Sequence, residues 1–213
     1  MQIKTFSSES GFIDQTISFI LSLKPKTIAL SGGNTPRPIY DKMAGSTQDE
    51  IFYQVDERCV PPTHPDSNQK MIRETLFKNT PNPKNFHYFD TTLPIPKSLE
   101  KYEKKLPVNF DLCILGIGLD GHIASIFPDS HVVKINKVAH TKNSHSPIKD
   151  RLTLTLPTIL ASKTILILLK NKPEILSQLL NPTKSPEEFP ALYLLIHKNL
   201  HIHYNQTRCS TSN

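Results

Sequence analysis

Two hydrophobic periods alternate along the chain, one typical of buried strands and one typical of amphipathic helices. Short apolar runs predict strands at residues 2–6, 27–30, 51–55, 86–89, 110–115 and 164–169. Apolar residues at helical spacing predict helices at residues 10–23, from about residue 35, after a cap at Asp66 or Ser67, and at 172–180. This order predicts a three-layer, Rossmann-like α/β fold with a mostly parallel central sheet covered by helices on both faces.

Three further segments have patterns with more specific expectations. Residues 191–196 are apolar and predict a last core strand. Residues 151–156, RLTLTL, alternate strictly, which predicts a strand with one buried face and one polar face. Residues 111–127 predict an apolar strand, a glycine loop and then an amphipathic helix. No composition break marks a linker, so residues 1–213 are expected to form a single domain.

The composition is that of a folded protein with a basic surface. Hydrophobic residues make up 37% of the 213 residues, and the net charge is +6. That charge favours anionic partners in general, but the lysines form no stripe, so no nucleic-acid partner is expected. A solvated surface is the simpler interpretation of the lysines. Arginines are few, so each is a stronger candidate for binding a phosphate or a carboxylate.

The sequence indicates neither a membrane segment nor a metal site. The longest aliphatic run is far too short to cross a bilayer, and no basic segment precedes the first apolar stretch as in a signal peptide. Cys59, Cys113 and Cys209 are an odd, widely spaced set, which suits a reducing compartment. His201 and His203 can share a strand face, but no third ligand is near in sequence. We therefore expect a cytoplasmic protein without a metal or cofactor.

Parallel α/β sheets bind ligands beyond the carboxyl ends of their strands, so the residues after each strand matter most. The strand at 27–30 is followed by Ser31, Gly32, Gly33, Asn34 and Thr35. Two glycines let a ligand approach the backbone, and free N–H groups at a helix start attract anions. The segment predicts a phosphate-binding loop, although a plain strand-to-helix turn would use the same glycines.

Charged residues stand at two other strand ends. Asp56, Glu57 and Arg58 follow an apolar strand, and Arg151 begins another. Arg58 is the sharper candidate because a guanidinium can bind a phosphate through two parallel hydrogen bonds. A surface ion cluster and an ordinary exposed strand end are the alternatives for these two sites.

The segment GIGLDGH, residues 116–122, has the spacing of a dinucleotide-binding loop but different chemistry. His122 stands where that fingerprint needs a small apolar residue, and the acidic residue expected about twenty positions later is missing. In the first turn of a helix, the dipole would keep this imidazole neutral and able to accept a proton. With Asp120 to orient it, His122 is predicted to be a general base, and a capping histidine is the alternative.

Four motifs stand in order along residues 27–203: SGGNTP, DERCVPPTHPDSN, LGIGLDGHIASIFP and RLTLTLP. Together they resemble the lactonase branch of the glucosamine-6-phosphate isomerase/6-phosphogluconolactonase family. Arg58 and the pair Ser67-Asn68 match the lactonase form. The isomerases also have an acidic residue shortly after Asp-Gly-His, where this chain has Ser125-Ile126-Phe127-Pro128.

The resemblance implies hydrolysis of 6-phosphoglucono-1,5-lactone to 6-phosphogluconate, a step of the oxidative pentose phosphate pathway. It implies that His122 is the general base, that Asp120 orients it, and that no metal or cofactor takes part. The residues implied in binding the substrate and its phosphate are Ser31, Gly32, Gly33, Asn34, Thr35, Asp56, Arg58, Ser67, Asn68, Gly118, Arg151 and Lys172.

The chain departs from the family pattern at two places. The family's lysine lies in G-x-x-K-A, whereas residues 169–173 read LKNKP, so Lys172 is the better match and Lys170 competes with it. Asn34 replaces the usual serine. An amino-sugar-phosphate isomerase and a non-catalytic phosphosugar sensor are the alternative functions. The expected partner is a small phosphosugar lactone, and the expected state is a monomer or a weak homodimer.

Overall fold

The computed structural model describes residues 1–46, 49–80, 83–130 and 137–206. The strands are β1 (Gln2–Phe6), β2 (Thr27–Leu30), β3 (Ile51–Gln54), β4 (Asp56–Arg58), β5 (Phe86–His87), β6 (Leu112–Gly116), β7 (Val138–Lys142), β8 (Asp150–Leu154), β9 (Thr164–Lys170) and β10 (Leu200–Asn205). The helices are α1 (Glu9–Ser22), α2 (Arg37–Met43), α3 (Asn68–Thr75), α4 (Ile95–Glu103), α5 (Leu156–Leu160) and α6 (Pro173–Leu180), with a 3₁₀ helix at Pro190–Ile196.

Seven strands form one parallel sheet in the order β1-β10-β9-β6-β2-β3-β5. Successive side chains of a strand point to opposite faces, and both faces of this sheet are apolar. Ile28 and Leu30 of β2 pack in the core that α1, α2 and α3 cover. Ala29 between them packs in the core that α4, α5 and α6 cover. The predicted three-layer fold with helices on both faces is confirmed.

The winding of the sheet reverses next to β2. From β2 the chain proceeds to β3 and β5 on one side, and later to β6, β9 and β10 on the other. Ser31 N donates to Ile114 O at 3.2 Å, which joins the ends of β2 and β6. Their carboxyl ends therefore lie side by side at the switch point where doubly wound sheets bind ligands.

A second sheet, which the sequence pattern did not predict, is formed by the antiparallel strands β4, β8 and β7. In it Asp56 lies opposite Thr153, and Arg58 lies opposite Arg151. The polar face expected for residues 151–156 is present but buried, since Arg151 is 7% exposed and Thr153 is 0% exposed. Thr153 Oγ1 accepts a hydrogen bond from Ser125 N at 3.2 Å, so this buried hydroxyl provides the hydrogen-bond acceptor for a buried backbone N–H.

The prediction of a last core strand at 191–196 is wrong. Those residues belong to the 3₁₀ helix, and the last strand is β10. Proline at the first helical position has a backbone angle that favours helical turns. Ala191 N donates to Gly121 O at 2.9 Å, which holds this helix against the loop after β6.

The prediction of an amphipathic helix after the glycine loop is also wrong. None of residues 120–127 is helical, and the segment combines turns with isolated bridges between Ile117 and Ile123 and between Ile123 and Ile126. Gly121 and Ala124 have φ values of 84° and 51°, which a right-handed helix does not allow. No helix dipole of this segment therefore acts on His122.

No helix among the described residues is long and apolar enough to span a membrane. Cys59 and Cys113 are free thiols, and Cys113 is buried in the core as its apolar strand predicts. Cys209 lies outside the described residues.

Candidate active site

A cavity of about 370 Å³ opens at the carboxyl ends of β2 and β6. Every residue that the sequence motifs predict for the site lines this cavity, except Ser67, Asp120 and Arg151. The other residues of the cavity wall are Pro36, Gly116, Ile117, Ala124 and Leu168. Leu168 is an ordinary core residue in sequence, and only the packing of β9 beside β6 brings it to the cavity.

His122 and Asp120 form a close pair at this cavity. His122 Nδ1 lies 2.5 Å from Asp120 Oδ1, and the backbone N of His122 donates to the same oxygen at 3.2 Å. Burial raises the pKa of Asp120, but the hydrogen bond and charge of His122 outweigh burial and lower the pKa overall. With Nδ1 occupied by an ionised carboxylate, Nε2 is the atom of His122 that can accept a proton from a bound molecule.

Glycines make the conformation of this loop possible. Gly118 N donates to His122 O at 2.9 Å, and Gly121 N donates to Gly118 O at 3.0 Å. Gly121 has a φ of 84°, and a Cβ there would lie 2.3 Å from the ring of Phe189. The glycine spacing that resembles a dinucleotide-binding loop thus serves to fold the chain tightly around the His122–Asp120 pair.

Glu57 organises the segment that carries Arg58, a role the sequence did not reveal. Its side chain is 1% exposed. Burial raises the pKa of Glu57, and the hydrogen bonds it accepts oppose that effect. Its carboxylate accepts five hydrogen bonds, from Gln54 Nε2, Arg58 N, Ser67 Oγ, Asn68 N and Gln69 N. Ser67 therefore does not reach the cavity but ties the start of α3 to β4, since its Oγ also accepts from Lys70 N.

Asn68 connects the carboxylate and the guanidinium of the cavity. Its Oδ1 accepts from Arg58 Nη1 at 2.5 Å, and its Nδ2 donates to Asp56 O and Asp56 Oδ1 at 2.9 and 3.2 Å. Asp56 Oδ2 accepts from Ser125 Oγ at 2.7 Å. A Cβ at Gly32 would lie 1.9 Å from Asn68 Oδ1, so only glycine at this position leaves room for the Asn68 side chain between Asp56 and Arg58.

The loop after β2 offers unused donors to the cavity. Ser31 Oγ is buried without a hydrogen-bond partner among the described residues. The backbone N–H groups of Gly32 and Gly33 also donate to no acceptor in the described part of the chain. Buried polar groups are normally paired, so this loop is suited to hydrogen bonding with a bound anion.

The two competing lysines point to different places. Lys172 lines the cavity and donates from Nζ to Ile117 O at 2.5 Å. Burial lowers the pKa of Lys172, partly offset by the charges of Glu174 and Asp120. Lys170 instead pairs with Glu9 Oε1 at 2.6 Å. Asn171 between them has a φ of 52°, a left-handed turn that separates the two side chains.

Arg151 does not line this cavity. It lines a neighbouring cavity that shares Arg58 with the first. Its Nη2 donates to Ser146 Oγ at 3.0 Å.

The histidines of β10 have partners of their own. His203 Nδ1 lies 2.8 Å from Thr16 Oγ1, and His201 Nε2 lies 2.8 Å from Asn199 Oδ1. Within the described ranges, no three His, Cys, Asp or Glu side chains are arranged to hold a metal ion.

Comparisons with known proteins agree with the motifs. The model of the family described as glucosamine-6-phosphate isomerases/6-phosphogluconolactonase matches residues 11–202. A 6-phosphogluconolactonase of Thermotoga maritima is 38% identical over 198 residues, which cover 85% of this chain and 90% of that protein. A 6-phosphogluconolactonase of a Synechocystis species is 33% identical over 186 residues, 79% and 77% of the two chains.

Structural comparison leads to the same family. A crystal structure of 6-phosphogluconolactonase from Thermotoga maritima has a TM-score of 0.84 and 33% identity, covering 96% of this chain and 98% of that one. A monomeric glucosamine-6-phosphate deaminase shares the fold at 21% identity, with a TM-score of 0.84. The chain therefore belongs to the glucosamine-6-phosphate isomerase/6-phosphogluconolactonase family.

Proposed function

We propose that this protein is a carboxylic ester hydrolase that converts 6-phosphoglucono-1,5-lactone to 6-phosphogluconate. The observation that carries the proposal is the His122–Asp120 pair beside a cavity that also contains Arg58 and Lys172. The family relatives named 6-phosphogluconolactonase support the same activity.

His122 acts as the general base in this proposal. Its Nε2 takes a proton from a water molecule, and the oxygen of that water attacks the lactone carbonyl carbon. Asp120 holds the imidazole by Nδ1 and stabilises the imidazolium that forms. When the tetrahedral intermediate collapses, the ring C–O bond breaks and His122 returns the proton to the leaving oxygen. Such general-base help is commonly worth about 10²–10⁴ in rate.

The phosphate is held by the loop after β2, from Ser31 to Thr35, together with Arg58 and Lys172. The unpaired Ser31 hydroxyl and the unused amides of Gly32 and Gly33 support this assignment. The amides of Gly118 and Gly121 already donate within their own loop. These two amides are therefore not free to bind the oxyanion of the tetrahedral intermediate.

The sister activity, conversion of glucosamine 6-phosphate with release of ammonia, is disfavoured by the residues after His122. In place of the acidic residue of the isomerases, this chain has the segment Ser125-Ile126-Phe127-Pro128, which contains no carboxylate. The hydroxyl of Ser125 donates a hydrogen bond to Asp56. A direct assay compares the two reactions by following acid release from freshly made lactone and ammonia release from glucosamine 6-phosphate. The proposal predicts lactone hydrolysis well above the spontaneous rate. Ammonia release without lactone hydrolysis would overturn it.

The cytoplasmic location, the absence of a cofactor and the monomeric or weakly dimeric state stay predictions.

A further inference from the structure

Ser125 is held by all three strands of the second sheet. It is 2% exposed and lies in the turn that follows His122. Its backbone N donates to Thr153 Oγ1 of β8 at 3.2 Å, and its backbone O accepts from Thr141 Oγ1 of β7 at 2.8 Å. Its hydroxyl donates to Asp56 Oδ2 of β4 at 2.7 Å. The backbone contacts fix the position of Ser125, so its hydroxyl is well placed to fix the Asp56 carboxylate in turn.

Asp56 and Arg58 are opposite charges on one face of β4. They are two positions apart in the strand, so their side chains point to the same side, and both line the cavity that contains His122. Opposite charges attract more strongly in a partly buried site than in bulk water. Yet Asp56 forms no ion pair with any described residue, and Arg58 Nη1 donates instead to Asp66 O and Asn68 Oδ1. Other groups therefore keep the two charges apart.

Asn68 and Ser125 are those groups. Asn68 lies between the charges, since its Nδ2 donates to Asp56 Oδ1 at 3.2 Å while its Oδ1 accepts from Arg58 Nη1. The Ser125 hydroxyl occupies the second carboxylate oxygen, Asp56 Oδ2. Both oxygens therefore have neutral donors, and a carboxylate that is only 8% exposed finds few others in water. If the serine hydroxyl is removed, the Arg58 guanidinium on the same face is a strong partner for the freed oxygen.

We propose that Ser125 is a positioning residue that keeps Arg58 available for the phosphate of the substrate. Its hydroxyl holds the Asp56 carboxylate away from the guanidinium, so the carboxylate does not compete with the phosphate for the same N–H donors. An arginine that already pairs with a carboxylate has fewer donors left for a phosphate, and its charge is neutralised. This inference rests on the proposed function, which places the substrate's phosphate at Arg58.

Calorimetric titration of the full chain with inorganic phosphate tests this role. Phosphate is the probe because it has no sugar hydroxyls that could contact Asp56 directly. Ser125→Ala should bind it about tenfold more weakly than the wild type, the scale of one charge-assisted hydrogen bond, because Asp56 can then pair with Arg58. Asp56→Asn in the Ser125→Ala background should restore the affinity, since an amide carries no charge that could neutralise Arg58.

Lactone kinetics give a second measurement. Ser125→Ala should raise KM by a similar factor and lower kcat less, because the hydrogen bonds between His122 and Asp120 do not involve the Ser125 hydroxyl. Ser98→Ala is the matched control. It removes a serine hydroxyl of α4 that is as deeply buried and has no partner among the described residues, and it should leave phosphate affinity and KM unchanged.

Two results would overturn the proposal. One is a phosphate affinity and a KM in Ser125→Ala that equal those of the wild type. The other is phosphate binding that is equally weak in Ser125→Ala and in the double variant, which would mean that Ser125 supports the structure without restraining the carboxylate. Phosphate binding is measured without lactone. A wild type that shows the expected binding pattern but does not hydrolyse the lactone would therefore refute the proposed function alone.

Discussion

The imidazole of His122 lies directly over the backbone of Gly118. A Cβ at position 118 would lie 2.1 Å from both Nδ1 and Cε1 of His122, and 2.6 Å from Asp120 Oδ1. These distances are far shorter than any non-bonded contact allows, so a side chain at 118 and the observed His122–Asp120 pair exclude each other. Gly118 is therefore part of the site through the space it leaves.

Replacing Gly118 by alanine should displace the imidazole and lower kcat by roughly 10²-fold, the scale of losing general-base help. Lactone turnover, corrected for spontaneous hydrolysis, measures this effect. Gly116→Ala is the control for an added side chain that does not touch the imidazole, because a Cβ there would have no heavy atom within 4 Å, and it should lower kcat far less than Gly118→Ala. Equal activity in Gly118→Ala and the wild type would contradict the tight placement of His122.

Lys172 and Lys170 form a matched pair for testing the phosphate site. Lys172→Met should raise KM about tenfold or more, because a charged hydrogen bond to phosphate contributes roughly 1.5–3 kcal/mol. Lys170→Met should leave KM nearly unchanged, since its ammonium pairs with Glu9 on the surface. Steady-state kinetics of both variants make the comparison. A larger effect from Lys170→Met would reverse the assignment.

Glu57→Gln should destabilise the fold by about 2–3 kcal/mol, because an amide cannot accept all five hydrogen bonds and leaves buried donors unpaired. It should also raise KM, since the segment that carries Arg58 loses its anchor. Urea unfolding and steady-state kinetics measure the two effects. Glu74→Gln on the exposed face of α3 removes only a 3.8 Å surface pair with Lys70 and should change stability by less than about 0.5 kcal/mol. Similar values for the two variants would contradict the anchoring role.

Asp111 should make stability depend on pH. Although burial raises its pKa, Lys163 and the backbone N–H groups of Lys26 and Thr27 lower it to about 2. Because the folded pKa lies below the unfolded value of about 3.9, the carboxylate stabilises the fold above pH 4 and loses this effect as pH falls toward 2. The contribution at pH 7 is roughly 2 kcal/mol.

Asp111→Asn therefore should lower the free energy of unfolding by roughly 2 kcal/mol at pH 7. Its difference from the wild type should shrink as the pH falls from about 4 toward the folded pKa, since the wild-type carboxylate then becomes protonated. Asp41→Asn removes an exposed pair with Lys78 and should have little effect at either pH. A pH-independent difference for Asp111→Asn would show that its charge is not what stabilises the fold.

Local patterns were sufficient for the parts of the fold that depend on burial alone. Continuous apolar runs identified β2, β6 and β9, because strands covered on both faces have no polar side. The rule that ligands bind at the carboxyl ends of strands then predicted that Ser31 and His122 lie at the same site, and both line one cavity. The prediction of a helix at this loop was wrong because Gly121 and Ala124 have positive φ angles. The hydrophobic periodicity of the segment does not reveal these backbone angles.

Non-local pairing explains the other failures. The sheet of β4, β8 and β7 joins segments that are distant in sequence, so the opposition of Arg58 and Arg151 has no local signal. Glu57 resembles any surface acid in sequence, and its role follows from five donors that only the folded chain brings together. Lys170 and Lys172 are two residues apart in sequence, and only the folded chain shows that Lys172 lines the cavity while Lys170 pairs with Glu9.

Turnover of freshly prepared 6-phosphoglucono-1,5-lactone by His122→Ala tests the central claim most directly. His145→Ala, an exposed histidine on a loop, is the matched control. The account predicts that kcat falls by about 10²–10⁴ in His122→Ala and is nearly unchanged in His145→Ala. Undiminished turnover by His122→Ala would contradict the assignment of His122 as the general base.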